Sequence, residues 1–66
     1  MNRSELRAEI ARKDISKRAI AEALGISETS LFMKMRGDRE FKETEIRKLV
    51  EVLALTPEDV QRIFLS

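Results

Sequence analysis

A chain of 66 residues with a net charge of +1, no cysteine and no histidine describes one small domain, residues 1–66. Neither disulfides nor thiolate metal sites hold it together, and at this length folding hides only about 60% of the surface the unfolded chain exposes. Helix packing must supply the core, aided by self-association, and with no long apolar run and no apolar stretch in MNRSELRAEI a cytoplasmic protein that avoids membranes is expected.

The elements follow in chain order. The spacing of Leu6 and Ile10 predicts a first helix over about Arg3 to Lys13, with Asn2 and Glu5 placed as a reciprocal capping box. Asp14-Ile15 turns the chain, and Ser16 caps a second helix carrying Ile20, Ala21 and Leu24 at helical spacing. Gly25 ends that helix as a positive-φ residue would, Ile26 forms a buried hinge, and Ser27 caps a third helix over about Glu28 to Arg36. Leu31 and Met35 give it an inward face. Gly37 to Glu40 reads as a polar loop, with Phe41 returning it to the core. Ile46, Leu49, Val50 and Leu53 mark a fourth helix at i, i+3, i+4, i+7. Thr56-Pro57-Glu58-Asp59 starts a fifth with an N-cap, a proline at the first position and early acids. No segment alternates as a strand would. The fold expected is all-α with five helices.

Two short helices hinged on a glycine within residues 16–37 have the geometry of a helix-turn-helix, whose second helix lies in the major groove of DNA. The segment SKRAIAEALGISETSLFMKMRG resembles the Cro/phage-repressor-like (XRE) family. Leu24-Gly25-Ile26-Ser27 fits that family's pattern without change, and Ile20-Ala21, Leu31 and Gly37 stand at its apolar and glycine positions. Ser16 and Lys17 replace the common Thr-Gln. Met35 stands where the family often has Glu, and Phe32 or Met33 where it has a polar residue. The resemblance extends over nearly the whole chain. It implies a lambda-repressor-like domain that binds double-stranded DNA as a transcriptional regulator of phage or mobile-element origin, a Cro-like repressor that excludes polymerase by occupying its operator.

Family docking sets the N-terminal end of the recognition helix against base edges, which nominates Glu28, Thr29, Phe32 and Met33 as base readers. Glu28 also suits the helix dipole with no ligand at all. Phe32 and Met33 suit thymine methyls, the core, or a protein interface, and exposed Phe and Met on one face often mark partner binding. Residues 1–42 hold ten Lys/Arg against seven Asp/Glu, whereas residues 43–66 hold three against five. In the family the loop after the recognition helix follows the phosphates, so Lys34, Arg36, Arg39 and Lys42 are expected there. Ser16 and Lys17, at the N-terminus of the second helix, form the other phosphate site. Family members bind two half-sites as twofold dimers, and the adjacent Phe64 and Leu65 cannot both face inward. A weak homodimer through these two residues is therefore expected.

The rival reading is a protein-interaction module, antirepressor-like, using the same fold to bind another regulator. Catalysis fits poorly: without His, Cys or Tyr the remaining Asp, Glu, Lys, Ser and Thr form no recognisable constellation. There is no Gly-rich phosphate loop and no metal-ligand spacing, so no enzyme, cofactor, metal or small-molecule ligand is expected.

Overall fold

A computed structural model describes residues 1–65; Ser66, the last residue of the expected domain, lies outside the described residues. Those residues are all-helical: α1 Arg3–Lys13, α2 Lys17–Leu24, α3 Glu28–Arg36, α4 Glu43–Val52 and α5 Pro57–Phe64. None of these helices is long and apolar enough to cross a membrane.

Local chemistry sets the ends of the two central helices. Ser16 Oγ accepts from the Ala19 N–H at 3.1 Å, and Ser27 Oγ from the Ser30 N–H at 3.0 Å. Gly25, at φ 72, lets the Ile26 and Gly25 N–H groups donate back to Ala21 and Glu22, the double closure of a Schellman motif. Open space surrounds Gly25, so conformation alone selects it. Gly37, at φ 97, closes α3 in the same way, and here space matters too: a Cβ would sit 3.2 Å from the Arg3 guanidinium. Ala54 repeats the closure after α4 without a glycine, at φ 51.

The core takes Leu6 and Ile10 from α1, Ile20 and Ala21 from α2, and Leu31 and Met35 from α3. Phe41 anchors the loop as expected, and Leu49, Leu53 and Ile63 complete the buried set. Ile26 is only half-buried, packed against this core. Helix α2 lies against both α3 and α4, while α1 lies against α3 and α5. Within α4 the inward stripe includes Glu45 as well as Leu49, and Val52 joins Ile46 in packing on the core.

The reciprocal capping box at Asn2 is a correction. Asn2 Oδ1 accepts from the Glu5 N–H, but the Asn2 N–H donates to the Ile63 carbonyl at 2.6 Å, and the Glu5 carboxylate takes Arg62 Nη1 at 2.6 Å. Long-range partners on α5 have displaced the local one. Arg62 also reaches Glu9 at 3.2 Å and Asp59 at 2.7 Å, so one guanidinium joins α1 to α5. Buried Glu9 is held in turn by Arg12 and Arg62, and Lys13 lies 3.8 Å away.

The Thr56 N–H and then Arg62 hold the Asp59 carboxyl down at about 2. An unfolded aspartate titrates near about 3.9. The folded pKa is the lower one, so the stabilisation is present above the unfolded value and is lost as pH falls through about 2. Urea midpoints measured between pH 7 and pH 2 should hold steady down to roughly pH 5 and then decline. Asp59→Asn should flatten that decline. Parallel curves for variant and parent would assign the acid sensitivity to other carboxylates.

Candidate nucleic-acid interface

Helix α3 divides cleanly into two faces. Leu31, Lys34 and Met35 are buried, whereas Glu28, Thr29, Phe32 and Arg36 are exposed and Met33 is half-buried. Three of the four expected base readers therefore project from one surface, beginning at the capped N-terminus of the helix. Phe32 retains 51% of its surface open to solvent, and the Arg36 guanidinium carbon lies 5.3 Å from its ring centroid. Arg36 Nε also faces Asp38 Oδ2 at 3.3 Å. Within the chain, then, Arg36 is held by a ring and neutralised by a carboxylate.

Lys34 leaves the phosphate-contacting set. Only 6% exposed, it donates from Nζ to both Glu45 oxygens, at 2.6 and 2.7 Å. Its charge is satisfied inside the domain, where no phosphate reaches. Burial works to raise the Glu45 carboxyl, but the bonds from Lys34 and from the Lys42 N–H at 2.8 Å outweigh it and hold the carboxyl below its ordinary range. Glu45 thus fastens α4 to α3 and at the same time caps its own helix.

The other basic positions remain at the surface. Lys17, Arg39 and Lys42 are exposed, and none of their side chains makes an ion pair among the described residues. Ser16 is exposed beside Lys17, its hydroxyl engaged in capping. Lys17 borders an open groove of ≈ 220 Å³ whose walls include Ile10, Ile15, Met35 and, from α1, Arg7. Arg7 is a cation that the reading of the sequence passed over. A signal for it existed: no acid stands three or four residues from Arg7 on either side, so nothing on its own helix neutralises it. Lys17 likewise has no acid three or four residues on along its own helix, although Asp14, in the turn three residues before it, lines the same groove. Arg47 and Lys48, by contrast, pair with Glu43 and Glu51 along α4.

Unpaired surface cations, Lys17, Arg39 and Lys42 among them, with a helix N-terminus and an exposed, partly polar helix face can hold an extended polyanion and still present side chains for discrimination. The acids Glu5, Glu9 and Asp59 converge instead on Arg62, and among the described residues no group of three or more His, Cys, Asp or Glu is placed to hold a metal ion. At the far end of the chain Leu65 is 74% exposed, while Phe64 is half-buried and packs on the core. No curated protein and no solved structure matches the chain. A family model described as "Protein of unknown function (DUF739)" matches residues 2–66, and the chain belongs to that family.

Proposed function

We propose that this chain is a DNA-binding transcriptional regulator of the Cro/phage-repressor-like type, with α2 and α3 as its helix-turn-helix. The observation that carries the reading is the division of α3: one face locked in the core, the other offering Glu28, Thr29 and Phe32 from a capped N-terminus. Lys17, Arg39 and Lys42 supply phosphate contacts beside it. Thr29 is suited to hydrogen-bond a base edge and Met33 to support the surface from below. An operator overlapping a promoter would be blocked by occupancy alone, a binding function without catalysis. Titrating salt against a random duplex tests this: affinity should fall steeply with salt concentration. Little binding at any salt would favour the second reading, a protein-interaction module, for which the half-exposed Phe32 is the supporting observation.

The regulator is proposed to act as a weak homodimer on two half-sites about one helical turn apart. Leu65 would be the contact, since the described residues leave its side chain largely open, with Phe64 as the half-buried ring beneath the interface. Sedimentation on a two-half-site duplex should show two copies for the parent and weakened pairing for Leu65→Ser. One copy per duplex, or identical behaviour of the variant, would move the interface elsewhere.

A further inference from the structure

Phe32 is a large apolar ring on an otherwise polar surface. Its exposed neighbours one turn away are Glu28, Thr29 and Arg36. A protein-binding hot spot normally sits within a wider apolar patch that excludes water, and this ring has no such surround. It is also held. Gly37 turns the chain in the left-handed region, the Asp38 N–H closes on the Met33 carbonyl at 2.9 Å, and Asp38 Oδ2 lies 3.3 Å from Arg36 Nε. Arg36 in turn lies against the ring of Phe32, with 5.3 Å between guanidinium carbon and centroid. Helical side chains lean toward the N-terminus, so a ring at this position covers the turn that carries Glu28 and Thr29. That turn is the end of α3 directed at base edges in the DNA-binding reading.

We infer that Phe32 recognises the 5-methyl group of a pyrimidine, thymine or 5-methylcytosine, in the major groove, with Arg36 as the residue that positions the ring. The inference rests on the DNA-binding proposal and deepens it. The 5-methyl is the one apolar group a base pair displays in that groove, and a single aromatic edge matches it in kind and size. The cation against the ring favours this placement of Phe32 before binding, and Asp38 partly offsets the charge of that cation.

The test selects duplexes with the parent from two randomised pools, one with ordinary cytosine and one with 5-methylcytosine. Each recovered duplex is then resynthesised with one methyl removed at a time, uracil for thymine or cytosine for 5-methylcytosine. Loss of the recognised methyl should weaken parent binding about four-fold, the worth of one buried methyl-sized group. Phe32→Ala should bind the methylated and demethylated duplexes equally, and Arg36→Ala should shrink the difference while Phe32 is still present. The identity of the sensitive base tells thymine from 5-methylcytosine. Equal parent affinity with and without every methyl would overturn this inference and leave DNA binding standing, as would DNA binding with no sequence selected. A methyl effect that survives Phe32→Ala would overturn the role of Phe32. Absence of salt-dependent duplex binding would overturn both proposals. The readout on the parent does not depend on how any variant folds.

Discussion

Lys34→Ala should destabilise the domain by about 3–5 kcal/mol, because it leaves the buried Glu45 carboxylate without the ammonium that compensates it. A chain of this size has only roughly 3–10 kcal/mol in total, so the loss is a large share of it and the variant should melt at far lower urea than the parent. Glu45 would keep only the Lys42 N–H, and its carboxyl, now held below the ordinary range chiefly by Lys34, would move up. The cost should therefore be greatest at neutral pH and shrink as the carboxyl protonates in acid. Replacing both partners at once, Lys34→Met with Glu45→Leu, should recover most of the loss, since two apolar side chains of similar volume leave no charge inside. Urea melts of the parent and the two variants at pH 7 and pH 4.5 decide the matter. A Lys34→Ala variant that melts like the parent would return Lys34 to the surface and to the phosphate-contacting set.

Lys34 also shows where reading the sequence stops. Caps and helix ends were legible because their bonds close within a few residues: Ser16 with Ala19, Ser27 with Ser30, Thr56 with Asp59, Gly25 with Glu22. The all-α architecture and the element bounds follow from such signals. The partner of Lys34 is eleven residues away on another helix, and two of those of Arg62 lie 53 and 57 residues away on α1. No local rule reaches that far. Yet the spacing carried a hint, because Lys34 stands three residues after Leu31 and next to Met35, on the inward face, and Glu45 stands four before Leu49. Two opposite charges at inward positions of neighbouring helices imply a buried pair. Residue type argued for the surface at Lys34, and position argued for the core; position won because a partner was waiting. At Leu65 and Phe64 the conflict was visible in advance, as adjacent residues cannot share a helix face, and it is Leu65 that faces solvent.

Removing three of the unpaired cations together, as Lys17→Ala, Arg39→Ala and Lys42→Ala, should severely weaken binding to random duplex while leaving the fold intact. Each lost phosphate contact should lower the salt slope by about one unit, and three of them should cost on the order of 10²-fold in affinity at 0.1 M salt. The fold should tolerate the change because none of the three side chains makes an ion pair among the described residues, and Lys42 holds Glu45 through its backbone, which alanine retains. Arg47→Ala with Lys48→Ala is the matched control. It also removes exposed charge, but from cations already paired along α4, so loss of net charge without loss of the surface should change the slope little. Arg36→Ala should fall between the two, since Asp38 already offsets its charge. If the control flattens the slope as much as the triple variant, long-range charge governs binding and the cations beside α3 hold no special position. If the triple variant alone loses the slope, the phosphates run past the N-terminus of α2 and the loop after α3, with the outward face of α3 between them.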